Sequence, residues 1–229
     1  VADNYLERRF EEHERQSVVS HRRHVIRKQR KLFFVGAVNE IGAAVIRSMC
    51  AMGHRVAFCS LDEESAHNLA SHTGAIHINI DAYDAHALQN AFDEFVANYG
   101  DVDIVIYNGW QSSSAEIENA SIGDFAERVA RETTAMLIPI QKMAQNRIAK
   151  RVDAYGRIVC IKSNTTDVLS AAVNGAVASV AQHLSESLKP YGVSVNAITP
   201  KNDTTPEEVA RLCRFLVDDA NGFVTGKDL

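Results

Sequence analysis

The 229-residue sequence lacks any run of the roughly 18 or more consecutive apolar residues that a membrane span requires. The N-terminal stretch is charged and lacks the apolar segment of a secretory signal, so a cytoplasmic protein without a membrane partner is expected. Cysteine is sparse. Cys50, Cys59, Cys160 and Cys213 are far apart, and Cys59 and Cys160 fall in apolar runs, which suits reduced core residues better than a disulfide framework. Nine histidines are present, yet no His, Cys or carboxylate cluster has the spacing of a metal site, so no metal is expected. One acid-free stretch, from His21 to Lys31, stands out against a net charge of −5. It could be a patch for nucleic acid, an acidic partner or anionic lipid. Without interleaved aromatics or a nucleic-acid motif it reads better as a solvated helix face, and no nucleic-acid partner is expected.

What is present is a composition of 46% hydrophobic and 23% charged residues, enough apolar material for one continuous core. Residues 1–31 read as a charged helical arm, in which Leu6 and Phe10 are spaced for one narrow apolar edge. From residue 32 to residue 229 short β-branched or aromatic runs alternate with longer helical patterns. Strands are predicted at 32–36, 55–60, 76–80, 102–107, 157–161 and 194–198. Helices are predicted at 40–52, 62–72, 84–98, 122–149, 170–189 and 206–217. Strict β-α alternation with right-handed crossovers gives an α/β fold: a Rossmann-type doubly wound parallel β-sheet with helices on both faces, preceded by the N-terminal helical arm. The ligand crevice of such a sheet lies at the carboxyl ends of its strands.

Several motifs sit where that fold puts chemistry. Val35-Gly36-Ala37-Val38-Asn39-Glu40-Ile41-Gly42 is a glycine-bearing turn from strand to helix, where backbone amides can meet a pyrophosphate. Asp81-Ala82-Tyr83-Asp84 follows the third strand, and Asp103-Ile104-Val105-Ile106-Tyr107-Asn108-Gly109 forms the fourth. Further on come Gly156-Arg157-Ile158-Val159-Cys160-Ile161-Lys162-Ser163 and Tyr191-Gly192-Val193-Ser194-Val195-Asn196-Ala197-Ile198-Thr199-Pro200. In this order the motifs resemble those of the short-chain dehydrogenase/reductase family, in particular members of the 3-oxoacyl-carrier-protein reductase type. The resemblance implies NAD or NADP as cofactor, held around Gly36, Ile41, Gly42, Ser60, Asp81, Ala82, Asn108 and Gly109. Ser60 is neither an acid that would grip a ribose 2′-hydroxyl nor part of a 2′-phosphate site, so the two cofactors are not distinguished.

The resemblance fails where the family's chemistry resides. Family members move the substrate proton with a tyrosine activated by a lysine four residues on, beside a serine and a relay asparagine. Only the serine has a counterpart here, Ser163. The resemblance puts Ser170 at the tyrosine place, Asn174 at the lysine place and Glu132 at the asparagine place. An aliphatic hydroxyl is a far weaker acid than a phenol, and an amide carries no charge to lower a neighbour's pKa. None of the six tyrosines is followed by a lysine four places on. Glu40 also replaces a glycine of the phosphate turn with a negative charge, which weighs against cofactor binding.

Three functions remain in play. The first is a non-catalytic subunit of a homo- or hetero-oligomer, assembled through the helices read from Ile122 to Ala149 and from Ser170 to Lys189, the second of which is rich in small residues. The second is an oxidoreductase of carbonyl or 3-oxoacyl substrates with an atypical site, and the third a dinucleotide-sensing regulator.

Overall fold

The computed structural model describes residues 28–110, 121–150, 155–164 and 167–229. The expected helical arm falls almost wholly outside the described residues. Six strands form one sheet: β1 (Lys31–Gly36), β2 (Arg55–Cys59), β3 (Ile76–Ile78), β4 (Ile104–Asn108), β5 (Gly156–Ile161) and β6 (Val193–Ile198). The helices are α1 (Glu40–Ala51), α2 (Glu63–Thr73), α3 (Ala85–Tyr99), α4 (Ile122–Lys150), α5 (Val168–Ser187) and α6 (Pro206–Val217). Each strand and helix expected from the sequence is present, with ends displaced by two residues or fewer.

All strand pairs are parallel, in the order β3-β2-β1-β4-β5-β6. The order reverses between β1 and β4, which opens a crevice at their carboxyl ends. Strand periodicity supplies both faces of the sheet. Phe33, Val35, Val105 and Tyr107 pack into the layer that contains α3, α4 and α5, while Leu32, Phe34, Ile104 and Ile106 pack toward α1 and α6. Burial of each such side chain contributes about 1.5–3 kcal/mol relative to exposure. Phe33 also meets the rings of Phe92 and Phe95 at 5.1 and 5.9 Å, fixing α3 against β1.

Local signals end the helices where the site needs loops. Asn39, Asp62, Asp84 and Asp167 each cap a helix through a side-chain oxygen, and Thr205 with Glu208 closes a reciprocal capping box. Residues 226–229 run beside β6, with Gly226 N donating to Val195 O and Leu229 N to Ala197 O. Cys59, Cys160 and Cys213 are buried and Cys50 partly so, all with free thiols; burial pushes the Cys59 and Cys160 thiols up to about 12, the range of inert core cysteines.

Candidate functional site

A cleft of about 700 Å³ lies over the carboxyl ends of β1, β2 and β3. One wall is the turn of residues 36–39, another is Ser60 with Leu61 and Asp62, and Asp81, Ala82 and Tyr83 form the floor. Trp110 and the α4 residues Arg128, Arg131 and Glu132 close the remaining side. Its size lies within the range of small-molecule and cofactor sites.

The turn is held by main-chain contacts and two asparagines. Gly36 has φ +103°, and a Cβ there would lie 2.1 Å from the Asn108 carbonyl oxygen, so only glycine lets β1 pass this close to β4. Ala37 N donates to that same carbonyl at 2.9 Å. The Asn108 side chain then donates to Ala37 O at 2.7 Å and to Asn39 Oδ1 at 3.0 Å, while Asn39 Oδ1 accepts from Gly42 N at 2.9 Å. Gly42 is needed for the same reason, since a Cβ would sit 2.4 Å from Ala37 O. Gly109 N donates to Ile161 O at 2.8 Å, carrying the arrangement to β5. Asn108, Gly42 and Gly109 thus shape the turn from beneath, and Ile41 packs in the core behind it. Glu40 is exposed at the first position of α1, where a carboxylate is favoured by the helix dipole.

The far wall is polar and already knit. Asp81 accepts from Tyr83 N at 2.9 Å and from Arg131 at 3.2 Å. Ser60 Oγ accepts from Asp62 N at 3.1 Å, and the Ser60 carbonyl accepts from His77 Nε2 at 2.9 Å. Asp62 in turn caps α2, accepting from Ser65 N at 3.1 Å.

Glu132, 7% exposed, accepts a 2.8 Å hydrogen bond from the fully buried Tyr107 hydroxyl. Desolvation holds its carboxyl above the usual range, opposed by the hydrogen bonds from Tyr107 and the Trp110 amide. Desolvation and the nearby Glu132 charge raise the Tyr107 and Tyr83 phenols as well. The Tyr83 hydroxyl is buried without a hydrogen-bond partner among the described residues. Its ring meets Trp110 edge-on at 6.0 Å, and Arg131 lies 5.7 Å from its centroid.

The other predicted residues lie elsewhere. Ser163, Ser170 and Asn174 gather where β5 gives way to α5 and do not line the cleft. Asn174 Oδ1 accepts from Ser163 N at 3.0 Å and its Nδ2 donates to Ser163 O at 2.8 Å. Ser170 N and Oγ donate to the two carboxylate oxygens of Asp167 at 2.9 and 2.7 Å. These polar atoms cap a helix and fasten a loop to it.

The sequence profile of short chain dehydrogenases matches residues 30–210. The chain belongs to the short-chain dehydrogenase/reductase family. It is 26% identical over 178 residues to an L-fucose dehydrogenase of Rattus norvegicus, covering 75% of this chain and 65% of that protein. The chain therefore spans about two thirds of the length of that relative. D-threitol dehydrogenase of Mycolicibacterium smegmatis is 25% identical over 231 aligned residues, covering 85% of this chain and 88% of the relative. A short-chain dehydrogenase/reductase from Serratia marcescens has the same fold, with a TM-score of 0.78 at 22% identity over 90% of this chain and 97% of that one.

Trp110, Arg128, Arg131 and Tyr83 line the cleft in addition to the residues expected from the sequence. Trp110 is the chain's one tryptophan, placed just after the glycine that ends the β4 motif, a spacing that gave a usable signal. The arginines gave none, because on a helix of 29 residues only the packing against β4 picks the face that meets the cleft.

Proposed function

We propose that this chain is a dinucleotide-binding family member that lacks the family's tyrosine-lysine proton transfer and works as a non-catalytic subunit of an oligomer. The observation that carries the proposal is the use of Asn174 and Ser170. An amide bonded on both sides to the Ser163 backbone, and a serine bonded to Asp167, serve the fold and supply neither phenol nor ammonium. The turn of residues 36–39 would hold the pyrophosphate of NAD or NADP, with Ser60, Asp81 and Ala82 flanking the rest of the nucleotide. A bound nicotinamide supplies hydride chemistry, but moving the accompanying proton requires a group that Ser170 and Asn174 do not provide.

Assembly through α4 and α5 fits their outer faces. Leu137 and Ile148 are exposed on α4, and Ala171, Gly175 and Ser179 form an exposed row on α5. Ala181 packs in the core, so arginine there tests folding alone, whereas a Cβ at Gly175 meets nothing within 4 Å. Sedimentation of Gly175→Arg against the parent tests the interface. A parent chain that is monomeric at tens of micromolar, alone and with co-expressed relatives, overturns the subunit role.

Calorimetric titration with NADH and NADPH, followed by hydride-transfer assays with L-fucose, D-threitol and an acetoacetyl thioester, tests the remainder. Saturable binding without turnover is the expected result. Turnover abolished by Ser163→Ala would refute the proposal. A second reading, an oxidoreductase with an atypical proton source, is favoured by one observation: Glu132, with its raised pKa, and Tyr83, whose buried hydroxyl has no partner among the described residues, both line the cleft. Turnover lost in Glu132→Gln but kept in Ser163→Ala would select that reading.

A further inference from the structure

A second concavity, of about 400 Å³, opens at the opposite, amino-terminal edge of the sheet. Arg157, the second residue of β5, projects into it and is 5% exposed. Its Nη1 donates to Gly156 O at 2.8 Å, while its Nε is buried without a partner. No carboxylate forms an ion pair with it among the described residues. Asp219 is bound to Arg30 at 2.8 Å, and Asp218 and Asp219 act on Arg157 only through space. A buried guanidinium in this condition is costly unless an anion or polar group completes it.

A neighbouring group has the same deficit. Ser194 is the register partner of Arg157 on β6, and strand alternation puts both side chains on the face of Val159 and Ile198. The Ser194 hydroxyl is likewise buried and unpartnered. Ser194 lies behind the pocket wall, and around Arg157 the pocket is cationic: Arg30 stacks on one side of the Tyr155 ring at 3.7 Å and Arg157 contacts it at 4.2 Å, with exposed Lys189 on the rim. Gly222 leaves room for the guanidinium, since a Cβ there would lie 2.5 Å from Nη2. Asp219 is engaged by Arg30, so neither Arg157 nor Lys189 has a carboxylate in direct contact among the described residues.

We propose that this pocket is a binding site for a phosphate-bearing small molecule, whose phosphoryl oxygens Arg157 and Lys189 recognise. Phosphate fits better than a carboxylate because it brings close to two negative charges and a third oxygen at neutral pH. The site is separate from the dinucleotide cleft, being at the other end of the strands, and does not depend on whether that cleft binds NAD or NADP.

The test is calorimetric titration of the full chain with inorganic phosphate against chloride at matched ionic strength, repeated with saturating NADH. Saturable phosphate binding, unaffected by NADH, is expected, with affinity at least tenfold weaker in Lys189→Glu and lost in Arg157→Gln. Lys189 is exposed, so its variant keeps the test decisive if Arg157→Gln fails to fold. Absence of saturable binding, equal affinity in Lys189→Glu, or displacement by NADH would each overturn the proposal. So would a crystal grown in phosphate that holds only water in the pocket between Arg157 and Lys189.

Discussion

The turn between β1 and α1 and the junction between β5 and α5 stand at the same edge of one sheet, yet they differ in what carries their architecture. The first is made of main chain. Gly36, Gly42 and the Asn108 network fix where backbone amides point, and no replaced side chain there fills the cleft. The second depends on side chains at two positions of α5, where Ser170 bonds to Asp167 and Asn174 to the Ser163 backbone. A site built from backbone geometry tolerates drift at neighbouring residues, whereas a site built from side-chain acids and bases depends on the identity of each one.

The largest expected effect breaks the backbone side of that contrast. Gly36→Val should cost about 3 kcal/mol or more, since its Cβ would overlap the Asn108 carbonyl in a left-handed conformation that β-branched residues avoid. Thermal melting checks this, and a melting point unchanged within about 2 °C would mean that the turn is not rigid.

Asn174→Ala comes next. It leaves the Ser163 N–H and carbonyl without their side-chain partner, so a loss of about 2 kcal/mol is expected, at about 1 kcal/mol per hydrogen bond. Denaturant titration measures it. A neutral result would remove the structural role assigned to Asn174 and reopen the question of what that position does.

Glu132→Gln sharpens the contrast through pH. Because the folded protein holds the Glu132 pKa above its unfolded value, its contribution to stability is fully present at low pH and lost as pH rises through the folded pKa. Glutamine does not ionise and still presents an oxygen to the Tyr107 hydroxyl. The melting-point difference, variant minus parent, should therefore become more positive from pH 4.5 to pH 8; a difference independent of pH would contradict the raised pKa.

The smallest change expected is at Glu40→Gly. Removing an exposed carboxylate beside the phosphate turn should tighten dinucleotide binding severalfold, while glycine in the first turn of α1 costs at most about 1 kcal/mol of stability. Parallel calorimetry and melting separate the two effects. Unchanged or weaker affinity in a folded variant would clear Glu40 as an obstacle.

Much of this was legible in the residues themselves. Apolar strand runs such as Leu32 to Val35, bounded by glycines and capping residues, dictate a parallel β-α alternation, because period and punctuation are local properties of the chain. The expectation that Ser170 and Asn174 stand at the family's tyrosine and lysine places rests on the same locality, a count along one helix. What those residues do instead was beyond the sequence. The reciprocal bonds between Asn174 and Ser163 span 11 positions, and the Tyr107–Glu132 hydrogen bond spans 25. Only the tertiary structure decided these partners. It also decided that Arg157 and Ser194, 37 positions apart in sequence and neighbours in register, lie side by side with polar atoms unspent. Strand order and helix rotation determine which side chains meet across such distances, and neither is encoded in any single stretch of residues.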